Sequence, residues 1–250
     1  MTVASPASSV PSPATLIAHF EAIARAHHSN YDPSHDYHHI TRVVSFSLLL
    51  SRSLPSPVDS LVIHLSALAH DLIDKKYLPP GSTLTAAEHL APHWKGFEEI
   101  ISAEQRALVE RIVDNVSYSK EVKRIKNGEE TEWHRSCREL HCVQDADKLD
   151  AIGAFGILRC AAYSGATLVP LHTPPSTNTS PTPTSAPAKS SAIDHFHEKL
   201  FNLEGMMKTE KGREMARKRT ERMSEFVEWV GEEWEDVEAG LKVGGGAELN

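Results

Sequence analysis

Two histidines and two aspartates carry the candidate chemistry of this chain. They are His39 in His35-Asp36-Tyr37-His38-His39-Ile40-Thr41-Arg42-Val43, the doublet in Ala69-His70-Asp71-Leu72-Ile73-Asp74, and Asp147 in Gln144-Asp145-Ala146-Asp147-Lys148-Leu149-Asp150. Ionisable neighbours ending an apolar helix are costly to bury unless a cation pairs with them. Adjacent residues on a helix point about 100° apart, so His70 and Asp71 both reach one cation at the helix edge. The remaining ligands must come from other helices, as in metal sites of bundle cores. Imidazole with carboxylate is a borderline donor set suited to Mn, Fe, Zn, Ni or Co, with Mg less natural beside two histidines. The expected cofactor is therefore a divalent metal ion, with manganese the favoured choice. Four protein ligands in an octahedral shell leave two positions for water or substrate. A water held there is acidified toward a hydroxide nucleophile, and the same cation polarises a phosphoryl oxygen.

The elements that must position these residues read as helices almost throughout. Leu16, Ile17, Phe20, Ile23, Ala24 and His27 recur at three- and four-residue steps behind Ser12-Pro13, a plausible helix start. A second helix is expected from about Asp36 to Ser51, with His39, Val43, Phe46 and Leu50 near one face. A third follows Pro57 and leads Leu61, Leu65, Leu68 and Ala69 to His70-Asp71. Ser102 and Gln105 form a capping box ahead of Leu108, Val109, Ile112 and Val113. One long helix from about Glu139 to Tyr163 is expected to carry Asp147, followed by helices over about 192–203 and 209–241. There is no sustained period-two alternation and no hairpin signal. The predicted fold is all-α, a single helical bundle with the metal site between core helices.

The Pro/Thr/Ser-rich stretch 169–190 cannot bury enough apolar surface to order itself. It is read as a disordered surface loop inserted in one domain over 14–241, flanked by flexible tails at 1–13 and 242–250. Composition bounds the partners. The formal charge is −8, which argues against a nucleic-acid polymer, since such binding needs a basic surface. A small anionic substrate remains open, because a metal and a few lysines reverse the local field. No apolar run approaches the roughly 20 residues that span a bilayer, so no membrane partner is expected. Three cysteines without a CxxC spacing and the absence of a signal-like segment make the cytoplasm the expected location.

The stretches HITRV, HDLID and DADKLD resemble the successive motifs of the HD-domain metal-dependent phosphohydrolase superfamily. HDYHHITRV, AHDLIDKKY, VSYSK, VQDADKLDAIGAFGILR, YSG and IDHFHEKLFNLEGMMKTEKGREMARKR narrow the resemblance to the bacterial branch that contains nucleoside triphosphate pyrophosphohydrolases. It runs from about Leu16 to Trp234, and the long Pro/Thr-rich stretch departs from it. The resemblance implies His39, His70, Asp71 and Asp147 as metal ligands. Asp145, two residues from Asp147, is the nearest rival for the last position, and Asp150, at i+3, shares its face and is placed to orient a ligand or water. The resemblance further implies cleavage of a nucleoside triphosphate to monophosphate and pyrophosphate. Phosphomonoester or cyclic phosphodiester hydrolysis is the alternative within the superfamily, since fold does not set substrate.

Asp74 lies one helical turn beyond Asp71, where a carboxylate accepts a proton from the attacking water; it is the candidate base. Lys75 and Lys76 follow at once and can neutralise charge developing on a phosphate, with family position favouring Lys76. Family-matching stretches downstream offer Arg159, Tyr163, His195 and Lys199 for a nucleotide pocket, with Tyr163 stacking a base. His35 and His38 flank the first motif, and both a phosphate-contacting and a solvated role are open for them. Arg42 pairs with a phosphate or, more simply, anchors its helix to an Asp or Glu. Two readings of other classes stand beside hydrolysis: a dinuclear iron oxygenase, which needs further histidine ligands, and a catalytically silent nucleotide-binding regulator.

Overall fold

Apolar residues at three- and four-residue spacing, closed by polar caps, dictate a chain of helices. The computed structural model describes residues 11–73, 83–174 and 190–243. In chain order these are α1 (Pro13–His28), α2 (Tyr37–Arg52), α3 (Ser60–Ala69), α4 (Ala86–Leu90) running into a 3-10 turn (Ala91–Trp94), α5 (Ala103–Asn115), α6 (Tyr118–Lys126), α7 (Glu132–Ser136), α8 (Arg138–Asp150), α9 (Gly153–Thr167), α10 (Ala192–Glu198), a second 3-10 segment (Leu200–Met206) and α11 (Glu210–Val243). Among the described residues there is no strand, and the fold is all-α. No helix among them is long and apolar enough to cross a membrane.

The caps do what the sequence leads one to expect. Ser12 and Thr15 close a capping box on α1, Ser102 and Gln105 close another on α5, and Asp36 and Asp59 cap α2 and α3. α2 and α3 pack against each other and against α8, with α1 and α5 covering the far side of α3. Leu16, Phe20, Ile40, Val43, Leu50, Ile63, Leu65, Ile112, Leu140 and Val143 are fully buried between them. Each such side chain contributes about 1.5–3 kcal/mol, and the three helices that bear the candidate ligands form the centre of this core.

Two expectations are corrected. The helix expected over 139–163 is two helices: α8 ends at Asp150 and α9 starts at Gly153, whose φ is +74°. A Cβ at Gly153 would meet Arg219 Cγ at 2.9 Å, so glycine serves both the turn and the close approach of α11. The helix expected over 192–203 stops at Glu198 and continues as a 3-10 segment. The edges of the Pro/Thr-rich segment are built into the fold, since Ala192 and Ile193 donate backbone hydrogen bonds to the carbonyls of Pro170 and Leu171 at 2.8 and 3.2 Å. The centre of that segment (175–189), the first ten residues and the tail from 244 lie outside the described residues.

Asp145 shows what one buried carboxylate does for the bundle. It is fully buried and accepts the backbone N–H groups of Lys208 and Thr209 and the Thr209 hydroxyl at 2.7–3.0 Å, where α11 begins. Its negative charge also suits the positive end of α11. Asp145→Ala leaves those donors without an acceptor in a buried place and should cost about 3 kcal/mol, read as a lower urea midpoint at unchanged m-value.

Candidate metal centre

His39 leaves from the first turn of α2, which Asp36 fixes by accepting the His39 backbone N–H at 3.0 Å. His70 is the C-cap residue of α3, and its Nδ1–H donates to the Ala67 carbonyl at 2.8 Å. That bond satisfies a carbonyl otherwise orphaned at the helix end and turns Nε2 toward the site. Asp71 follows directly, and Asp147 comes from the last turns of α8.

The two Nε2 atoms face each other at 3.3 Å. Asp71 Oδ2 lies 3.5 Å from His39 Nε2 and 3.6 Å from His70 Nε2, and Asp147 Oδ1 lies 3.8 Å from both. Donor atoms of His39, His70 and Asp147 all fall within 4.8 Å of one another. Asp71 stands outside that tight trio, yet its short distances to both imidazoles put it within reach of the same ion.

The residues fit a divalent cation. His39 Nδ1–H donates to Asp150 Oδ2 at 2.8 Å. With both Nδ1 atoms engaged as donors, both Nε2 lone pairs point inward, toward two carboxylates. Lone pairs and anions converging in a buried space repel unless a cation lies among them. Burial and the Arg159 guanidinium oppose charge on His39, but the carboxylates of Asp150 and Asp71 outweigh them and raise its pKa. The surroundings call for positive charge at this point, and the donor set admits Mn, Fe, Co, Ni or Zn.

Asp150 organises the next layer. It is fully buried and accepts from His39, from Arg42 Nε at 2.5 Å and Nη2 at 3.0 Å, and from Arg159 Nη1 at 3.1 Å. Burial opposes its charge, but His39, Arg42 and Arg159 hold its carboxyl far below the usual carboxylate range. Arg42 thus anchors α2 to α8 through an acidic partner. Asp145 is occupied at the start of α11, away from the cluster.

The ligands line a cavity of about 120 Å³ that includes Tyr118, Lys148, Arg159 and Lys199. A neighbouring cavity of about 300 Å³ is lined by Cys160, Tyr163, Ser191 and His195, and the two share His35, Ala151, Arg159 and Lys199. Four of the residues expected to bind substrate, Arg159, Tyr163, His195 and Lys199, therefore gather beside the metal ligands. His38 is exposed and lines neither cavity. Asp74, Lys75 and Lys76 lie outside the described residues.

Sequence reasoning passed over His28 and Tyr118. His28 is buried and its Nδ1 pairs with the His35 carbonyl at 2.8 Å, holding the loop that enters α2. The signal was present: the buried stripe Leu16, Phe20, Ala24 continues at a four-residue step to His28, not to His27. Tyr118 opens α6, and the Lys199 ammonium sits 4.8 Å from its ring centroid across the cavity mouth.

An all-α bundle that converges two imidazoles and two carboxylates from three helices defines a metal-binding protein of the HD type. The HD domain model matches residues 36–152. The chain is 30% identical over 197 residues to the uncharacterized protein YpgQ of Bacillus subtilis, covering 77% of this chain and 81% of that one. This chain belongs to the HD-domain family. Among solved structures, Bacillus subtilis YpgQ in complex with ADP matches with a TM-score of 0.64 and 27% identity, over 88% of this chain and 96% of that one. A Lactobacillus plantarum protein matches at 0.67 and 27%, over 89% and 98%. An HD-superfamily hydrolase from Bacillus thuringiensis matches at 0.63 and 26%, over 90% and 99%.

Two measurements check this account. Asp150→Ala removes the acceptor that orients His39 and should weaken metal binding by about 10–100-fold, measured by equilibrium dialysis; undiminished affinity would detach Asp150 from the metal centre. Burial pushes His28 down to about 4. Between its ordinary value and about 4 the unfolded chain binds a proton that the folded chain refuses. Stability should therefore fall as pH drops through that window, by up to about 3 kcal/mol, and His28→Gln should flatten the slope.

Proposed function

We propose that this protein is a metal-dependent phosphohydrolase that cleaves a nucleoside triphosphate to monophosphate and pyrophosphate. The observation that carries the reading is the pair of adjoining cavities. The smaller holds the four ligands, the larger is walled by Tyr163 and His195, and the Arg159 and Lys199 cations stand at their junction. A molecule with a charged phosphate chain at one end and a flat base at the other fits that division. The larger cavity is within the size range of small-molecule sites. The complex of YpgQ with ADP supports a nucleotide ligand, and the Bacillus thuringiensis hydrolase supports hydrolysis.

A bound divalent cation supplies Lewis acidity toward a phosphoryl oxygen and toward a water in its shell. The chain's own residues do the rest. His39, His70, Asp71 and Asp147 hold the ion, and Asp150 keeps His39 in the tautomer that offers Nε2. Arg159 and Lys199 bind phosphate oxygens and spread their charge. Tyr163 offers its ring to the base. On sequence position, Asp74 takes the proton of the attacking water and Lys76 neutralises charge on the phosphoryl oxygens. Among the described residues the donor atoms that converge within 4.8 Å of one another are those of His39, His70 and Asp147, a set for one ion at this centre, which favours hydrolysis at a single ion over dinuclear oxygen chemistry.

Incubating the manganese-loaded protein with nucleoside tri-, di- and monophosphates and cyclic nucleotides tests the reading through the products. Pyrophosphate from triphosphates is expected. Orthophosphate alone or ring-opened cyclic nucleotide points to the alternative hydrolases, and binding without product to a silent regulator. Asp74→Ala should keep the metal and lose about 100-fold or more in kcat, whereas Lys199→Ala should act mainly on KM.

A further inference from the structure

Three histidines on another face of the molecule have no part in the site above. His19 lies on α1, His89 on α4 and His93 in the 3-10 turn that follows it. All three are partly exposed. The His19 and His93 ring centroids are 5.6 Å apart, and those of His89 and His93 are 6.2 Å apart. Two imidazoles on one ion, with bonds of about 2.1 Å, place their centroids about 5 Å apart. The His39–His70 pair of the metal centre stands at 5.2 Å.

We propose that His19, His89 and His93 form a second site, for a transition-metal ion such as Ni²⁺ or Zn²⁺. The scaffold beneath them is rigid. Phe20, next to His19, is fully buried and lies 4.8 Å centroid to centroid from buried Trp94, next to His93. That contact clamps α1 to the turn and holds the two backbones at a constant distance. His89 and His93 stand four residues apart across the α4 boundary, a spacing that puts two rings on one side of a helix.

The chemistry matches. Burial lowers the pKa of His89 and His93, and the neighbouring His19 and His89 lower that of His93 further, so these rings offer lone pairs at neutral pH. An all-imidazole donor set selects Zn, Ni or Cu over Mg or Ca. Donor atoms of the trio do not yet converge as those of His39, His70 and Asp147 do, so the rings turn about χ1 and χ2 to close, which their partial exposure permits. An ion there staples α1 to α4, the helix that follows the segment 74–82 bearing the candidate base.

The test uses tag-free, chelator-stripped protein dialysed against Ni²⁺, with bound metal counted per chain. Wild type should hold two ions, and His93→Gln and His19→Gln, on different elements, should each hold one. His39→Ala should lose the other ion and keep this one. Ni²⁺ in hundredfold excess over its Kd should raise the Tm of His39→Ala by about 5 °C or more, and should do less in the double variant with His93→Gln. One ion in wild type, or two retained in either surface variant of unchanged helix content by circular dichroism, would overturn the site. None of these readouts depends on turnover.

Discussion

The candidate metal centre depends on a carboxylate that lies behind the cluster of donor atoms, not within it. Asp150 is fully buried, and an isolated buried anion costs several kcal/mol. It is tolerated because four N–H groups from α2 and α9 converge on it: His39 Nδ1, two from Arg42 and one from Arg159. Charge-assisted bonds of this kind are stronger than neutral ones, and the paired geometry of Arg42 adds direction. One interaction therefore does three things. It sets the His39 tautomer, fastens α2 to α8, and ties Arg159, a wall of both cavities, to the back of a metal ligand.

α8 is the helix on which these demands meet, and its sequence shows how they are kept apart. Asp147 and Asp150 face α2 and the site. Asp145 and Lys148 serve other partners: Asp145 receives the start of α11, while Lys148 pairs with buried Glu121 of α6 at 2.6 Å. Lys208 reaches the same Glu121 at 2.5 Å and donates to Gln144 at 2.7 Å. Burial opposes the charge on Glu121, and the two lysines more than offset it. A carboxylate so neutralised has no surplus charge to offer the metal. Four acidic residues within one short helix stretch or packed on it thus end with distinct assignments.

This division explains what the sequence disclosed and what it withheld. The convergence of His39, His70, Asp71 and Asp147 was legible because an ionisable residue on an apolar helical stripe is expensive without a partner. The role of Asp150 was half legible: i+3 spacing puts it on the face of Asp147, but its partner His39 lies 111 residues away and is brought there only by packing. His38 sits beside His39 in sequence, yet successive helical residues point about 100° apart, and only one of the pair is buried. The helices with three turns or more were visible in their periodicity. α4, α7 and the 3-10 segments are too short to establish a period. The break at 151–152 was hidden because Gly153 falls inside an unbroken apolar pattern, and the reason for glycine is the approach of Arg219 from α11.

The same geometry limits how the two halves of the site can be separated. His39, His70, Asp71 and Asp147 come from α2, α3 and α8, whereas the walls of the larger cavity come from α9, α10 and their flanks. That arrangement permits the larger cavity to vary while the cluster of donor atoms is kept. Arg159 is the exception, because its Nε–H donates to the Ser34 carbonyl at 2.7 Å while Nη1 holds Asp150. Its charge faces a ligand in one direction and stabilises the anion behind His39 in the other. Removing it withdraws a cation from the cavity walls and from the anion behind His39 at once. Lys199 reaches the mouth of both cavities from the far side, over the Tyr118 ring. The two cations at the junction of the cavities thus differ in their surroundings: Arg159 is bound to the carboxylate behind His39, and Lys199 lies over the Tyr118 ring.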